Sequence, residues 1–469
     1  MLTLDQIKSN APNVYANEVL KSKISEWLAW YRGETKLHSY VQNNGITVRN
    51  RKLPTLRMAA RVCEDLVATI LSEDWGIEVV SNKGVKASKA TSAFLQGSAG
   101  TTGVLGTTNF KGLFNDCLEY MFALGTCAIT ISLDNISTDA DGNILPSSAT
   151  KISFNSYIAN EIYPLTYRNG IIKEVAFTTE QTVNGETYNI LTKYELDENK
   201  EYIISNIIYK GDEEVSAEKV GLVPYIRTRS SKPWFIILTT AKANKIDFNS
   251  PLGESAYSDA EDVLYSIDLT YSCIKQEVIT GRRLVLFNKS LLTTDDQGNP
   301  IVPDDAMQNY FQFFSDEASN EVKDFVKEFH STLNTDKLNE ELQLQLNILS
   351  SKVGLGKKYY NLEDGTAVTA TEVRAEEKTG SRNIKRQSLL IQQQLQQLLL
   401  AVIDIGANIL GMGIDIDAKV SVNLRNTATE DIEIERQHDL VLVDKGIMTP
   451  NEFRAKWLSA LGNLPEETE

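Results

Sequence analysis

Long apolar runs are missing from this sequence. No 18 consecutive residues are apolar, so no segment reads as a membrane-spanning helix. The opening stretch, MLTLDQIKSNAPNVYANE, lacks a basic start, an apolar centre and a small-residue cleavage site, so secretion by the usual route is not expected. Cysteine is scarce: Cys63, Cys117, Cys127 and Cys273 are scattered without a CxxC pair. That spacing offers no zinc site and predicts free, mostly buried thiols in a reducing compartment. Histidine is scarcer still, with His38, His330 and His438 isolated from one another. There is no GxSxG, no HExxH and no cluster of His with carboxylates, so no catalytic residue and no metal ligand is assigned.

Charge of one sign is also short. The chain has 47 Lys and Arg against 63 Asp and Glu, a net charge of -16. Affinity for the phosphate backbone comes mainly from Lys and Arg, so tight sequence-reading of DNA is not expected. DNA passing close by is compatible with this balance, because salt screens an acidic wall within about 8 Å.

What is present is a chain of 469 residues, long enough for two to four domains. Helical spacing covers Glu18 to Trp30 with a stop at Gly33, Thr55 to Ser72, and Phe110 to Leu124 with a stop at Gly125. Trp75 to Val80 reads as a strand, and Thr126 to Leu133 as a strand alternating at Cys127, Ile129, Ile131 and Leu133. Further β-segments follow at Lys151–Tyr157, Ile171–Thr179, Thr187–Leu196, Glu201–Lys210 and Trp234–Thr239. Turn signals at Asp141-Gly142-Asn143, Asn169-Gly170, Asn184-Gly185 and Gly211-Asp212 separate them. Between Gln96 and Gly112 lie five glycines, but Thr107 and Thr108 follow Gly106 where a phosphate-binding loop needs Lys and a hydroxyl residue. A flexible loop is expected there. Gly354-Leu355-Gly356-Lys357 fails the same test, since Lys358 takes the hydroxyl position.

Two helices, Ser258 to Thr280 and Thr335 to Val353, flank an excursion that is acidic: residues 293–328 hold nine acidic and two basic side chains. The longest helix starts near Thr369 or Thr371, with Glu372 in a capping pattern, and runs to about Leu410. Its apolar stripe, Ile391 to Ile409, either packs within the chain or joins neighbouring subunits. The class is α+β, with a mainly antiparallel β-region between helical parts.

The order of these segments resembles the portal family of tailed phages, particularly the branch of siphophages with Gram-positive hosts. Trp27-Leu-Ala-Trp-Tyr-Arg-Gly33, Asn249-Ser-Pro-Leu-Gly-Glu-Ser-Ala-Tyr257, Thr369-Ala-Thr-Glu-Val373 and Lys445-Gly-Ile-Met-Thr-Pro-Asn-Glu-Phe-Arg454 carry it. The resemblance implies a portal fold. Residues 1–255 would form the wing, 256–281 and 335–355 the two stem helices, 282–334 a small α/β clip and 356–368 a tunnel loop. Residues 369–426 would hold the long helix and a wing strand, and 427–469 a helical crown. It further implies a non-enzymatic ring, usually of twelve subunits, at one capsid vertex of the virion, assembled in the host cytoplasm. Double-stranded DNA would pass through it. Terminase, scaffold, major capsid protein and head-completion or adaptor proteins would bind it, with no cofactor and no membrane. Lys357, Lys358, Tyr359, Tyr360 and Asn361 would face the DNA, with the two tyrosines packing against neighbouring subunits. Asp304, Asp305 and Asp316 would bind partners at the clip. Two other readings are a capsid or tail-assembly protein without a channel, and a nucleotide-binding DNA-processing protein.

Overall fold

A computed structural model describes residues 2–43, 48–71, 75–98, 100–147, 149–280, 284–288, 310–313, 326–329, 333–361 and 370–424, with positions 297, 439 and 443. The chain starts with helices α1 (Leu4–Asn10) and α2 (Glu18–Arg32). Thr3 caps the first and Asn17 the second. Gly33, at φ +70°, ends α2 in the left-handed conformation that other residues resist. A hairpin of β1 (Ser39–Asn43) and β2 (Val48–Lys52) precedes α3 (Met58–Ile70) and β3 (Gly76–Val80). Helix α3 buries Ala59, Val62, Cys63, Leu66, Val67 and Ile70.

The glycine-rich stretch is not a flexible loop. After α4 (Val85–Gln96) it folds into two short strands, β4 (Gly97–Ser98) and β5 (Thr101–Thr102), and the turn of helix α5 (Val104–Thr107). A β-carbon on Gly97 or Gly103 would collide with backbone of the same corner, so glycine here permits close packing rather than motion. Helix α6 (Phe110–Leu124) then ends at Gly125 as its spacing predicts.

Strand β6 (Thr126–Asp134) leaves directly from Gly125. The expected alternation is replaced by burial on both sides at Thr126 through Ile131, because β6 is the central strand of a three-stranded sheet with α6 against it. After β7 (Ser137–Thr138) and β8 (Ile144–Leu145), strand β9 (Lys151–Ile158) forms one edge of that sheet. The chain continues through a single turn into β10 (Ile162–Arg168), a strand absent from the sequence reading. Strands β11 (Ile171–Val183), β12 (Glu186–Leu196), β13 (Tyr202–Lys210), β14 (Glu213–Val215) and β15 (Tyr225–Arg227) complete a six-stranded antiparallel sheet. Strand β16 (Phe235–Thr239) returns to pair with β6.

The four cysteines are not all free. Cys117 on α6 and Cys127 on β6 are joined by a disulfide, with Cα atoms 5.9 Å apart. Helix and strand are consecutive and packed face to face, which juxtaposes residues too far apart in sequence to read as a pair. Cys63 is a buried thiol whose pKa burial raises, and Cys273 is exposed.

Helix α7 (Glu261–Thr280) runs out of the core and α8 (Thr335–Val353) runs back beside it. Their antiparallel sense is fixed at both ends. Asn334 N donates to Glu277 Oε1 at 3.1 Å, and Lys352 Nζ donates to the carbonyl of Asp259 at 2.7 Å. Between them sits a sheet of β17 (Leu284–Asn288), β18 (Tyr310–Phe313) and β19 (Val326–Phe329), with β17 central.

Helix α9 (Ala370–Asp404) continues into a π-helical turn, Ile405–Ile409, giving a rod of about 50 Å over its α-helical part. Its stripe is covered by this same chain: Ile391, Leu395, Leu398, Leu399, Val402, Ile403 and Ile405 are fully buried among α3, β16 and β20 (Lys419–Asn423). The intramolecular alternative is therefore the one realised from Ile391 to Ile405, with Ile409 partly buried. Strand β20 pairs antiparallel with β3, Val420 opposite Val79, so the end of this path closes on its beginning.

Candidate nucleic-acid interface

The segment read as DNA-facing begins where α8 stops. Gly354, at φ +81°, caps the helix, its N–H and that of Leu355 returning to the carbonyls of Ser351 and Ser350. Leu355 is buried. The chain then folds back along α8: Ser350 Oγ donates to the carbonyl of Lys357 at 3.2 Å, and Gln343 Nε2 to that of Tyr360 at 3.0 Å. These two bonds hold residues 357–360 as a fixed turn.

The turn divides its side chains by solvent access. Lys357, Lys358, Tyr359 and Asn361 are exposed. Tyr360 points inward and packs on the main core, in edge contact with Tyr359 at 5.1 Å. Its hydroxyl is buried beside Asp65 of α3. Burial first, and the Asp65 charge second, raise its pKa far above the ordinary phenol range. Tyr360 thus packs against its own chain. Asp65 is itself 5% exposed and is held by both sides of the Arg61 guanidinium, at 3.0 and 2.9 Å. Neither residue stood out in the sequence, since an Arg and an Asp four apart on a helix read as an ordinary surface pair.

Asp304, Asp305 and Asp316 lie outside the described residues, as do 362–368 of the loop and the proposed crown apart from positions 439 and 443. Among the described residues no group of three His, Cys, Asp or Glu is placed to hold a metal ion. None of the described helices is long and apolar enough to cross a membrane.

Two places could have held a phosphate and do not have the means. Gly354 and Gly356 sit at the C-terminus of α8, where carbonyls face outward, whereas anions are held by the N–H groups of a helix start. A cleft of about 870 Å³ opens between the β16-β6-β9 sheet and the six-stranded sheet. Ser132, Asp134, Ser153, Asn155, Thr192 and Asn206 line it, and no Lys or Arg does. Its polar groups satisfy one another: Ser132 with Ser153 at 2.8 Å, Asn155 to Ser132 at 3.1 Å, Thr192 to Asn206 at 2.8 Å.

No protein-family model matches the chain, and neither does any curated protein. Among solved structures the chain has a weak structural resemblance to one in the neck of a native GTA particle, computed with C12 symmetry. Identity is 9%, the match covers 87% of this chain and 90% of that one, and the TM-score is 0.39. A likeness of that degree does not say what this chain binds or assembles with.

Proposed function

We propose that this chain is a subunit of a portal-type ring through which double-stranded DNA passes. The observation that carries the reading is the path of the chain from α7 to α9. Two antiparallel helices leave the core side by side with a small sheet between them. A short fixed turn exposing two lysines follows, and a long helix then runs back into the core. That is the order of stem, clip, stem, tunnel loop and long helix that the sequence resemblance implies. In this reading Lys357 and Lys358 make sequence-independent contacts to phosphates, weak enough for a moving duplex. The acidic excursion, with Asp304, Asp305 and Asp316, docks terminase and then head-completion proteins. The capsid and scaffold proteins hold the ring at one vertex. The chain has no catalytic role in this reading; hydrolysis of nucleotide belongs to its partner.

Negative-stain electron microscopy of the purified chain, alone and co-expressed with its neighbouring structural proteins, tests the reading. Rings with a central hole wide enough for a duplex are expected. Particles without a hole under both conditions would leave the capsid or tail-assembly alternative in its place.

A further inference from the structure

The β1–β2 hairpin has a fixed root and an uncovered body. At the root, Leu53 N donates to the carbonyl of His38 at 2.8 Å. The buried Asp268 carboxylate of α7 holds both ends, facing His38 Nε2 at 3.0 Å and accepting the N–H of Leu56 at 2.8 Å. Beyond the root, Tyr40, Val41, Val48, Asn50, Arg51 and Lys52 are all exposed. The register sets Val41 opposite Asn50 on one face, with Val48 on that same face, and Tyr40 opposite Arg51 on the other. Both faces therefore meet solvent. Val41 is 63% exposed, Val48 66% and Leu37, beside the root, 54%. A two-stranded hairpin is marginal in water unless one of its faces is packed, and this one leaves its valines bare.

Charge sets the hairpin apart from the rest of the chain. Residues 35–60 contain five bases, Lys36, Arg49, Arg51, Lys52 and Arg57, and no Asp or Glu. All other residues together hold 42 bases against 63 acids. A partner for this hairpin must meet two needs. The valines require apolar surface, which the phosphates of a duplex do not supply and which makes up much of any protein surface. The bases require carboxylates. This chain supplies them: its six-stranded sheet ends on β14, where Asp212, Glu213 and Glu214 are exposed in a row. Among the described residues, β14 pairs with β13 alone, so its outer edge is open. The hairpin cannot meet its own like in a second copy, because five bases would then face five with no carboxylate between them.

We infer that the β1–β2 hairpin docks on the acidic surface of a second copy of this chain, head to tail. Each copy gives its hairpin to one neighbour and receives a hairpin from the other. Such a heterologous contact closes into a ring when its rotation closes, and otherwise runs on as a filament. The inference rests on the ring reading for its second copy, and adds to that reading a contact that joins the copies.

The test is sedimentation velocity of the full chain over a range of protein concentrations, with electron microscopy of the same samples. Two variants are compared with wild type. Lys36→Glu, Lys52→Glu reverses charge, and Val41→Asn, Val48→Asn removes the apolar face. All four side chains are exposed, so the melting temperature should match wild type; should one variant fail to fold, the other reads the same contact. Either variant should raise the protein concentration needed for assembly by at least about tenfold. Added in excess, the charge-reversed variant should cut wild-type assemblies into short chains, because it still accepts a neighbour's hairpin and offers none of its own. Folded variants that assemble as wild type does overturn the inference and leave the portal-type reading standing. Loss of binding to a short DNA duplex in those variants, with assembly intact, also overturns it and assigns the hairpin to DNA. Wild-type assemblies that depend on the hairpin but show no hole keep the inference and strike the portal-type reading. A wild-type chain that stays monomeric, alone and co-expressed with its neighbouring structural proteins, overturns both.

Discussion

The buried pair His38 and Asp268 offers a sharp energetic test, because it ties α7 to the segment between α2 and α3. Asp268 lies two turns into α7. Its Oδ1 accepts the N–H of Leu56 at 2.8 Å, and its Oδ2 faces His38 Nε2 at 3.0 Å. Both side chains are about 95% buried, and the Trp30 ring stands edge-on to His38 at 5.3 Å. Asp268→Ala removes the acceptor of one buried N–H and the group facing one buried imidazole. At about 1–3 kcal/mol for each orphaned group, a loss of roughly 2–6 kcal/mol is expected. Asp268→Asn keeps an acceptor for Leu56 and should cost less than half as much. Equilibrium urea unfolding followed by tryptophan fluorescence reads both, with Trp30 as a neighbouring reporter. The pH dependence adds a sign. Burial pushes the Asp268 carboxyl up from its ordinary range, against the pull of Leu56, Thr55 and His38. A carboxyl raised in the folded state contributes stability that is full below its unfolded value of about 3.9 and is lost as pH climbs through the folded value. The Asn variant has no such titration, so its deficit relative to wild type should narrow as pH rises from about 4. Equal losses for Ala and Asn, or a deficit that widens with pH, would refute this account.

Three further outcomes are expected. Replacing Lys357 and Lys358 with Ala should leave folding within about 0.5 kcal/mol of wild type, since both are exposed, while changing how much DNA is packaged or retained; unaltered packaging and retention would count against their role. Gly97→Ala places a methyl against the Thr101 carbonyl at φ +94°, so a loss of at least about 2 kcal/mol is expected, whereas magnesium ATP should not shift the melting temperature of the wild type; such a shift would revive the nucleotide-binding reading. Alkylation of the denatured, unreduced chain should label Cys63 and Cys273 alone; four labels would show that Cys117 and Cys127 are not joined.

Local pattern alone determined much of this chain. The limits of α6 and α8 follow from Gly125 and Gly354, because only a residue tolerant of positive φ ends a helix that way. The hairpin turns at Asn169-Gly170 and Asn184-Gly185 follow from the same tolerance. The outward and returning helices with an acidic excursion between them were legible from apolar spacing and charge. The tertiary structure decided what spacing cannot express. Strand β6 lost its alternation because covering both faces removes the solvent side that alternation reports. The stripe of α9 could have faced a neighbour or its own chain, and only the placement of α3, β16 and β20 chose between them. Cys117 and Cys127 became a pair because a helix doubled back onto the strand that follows it.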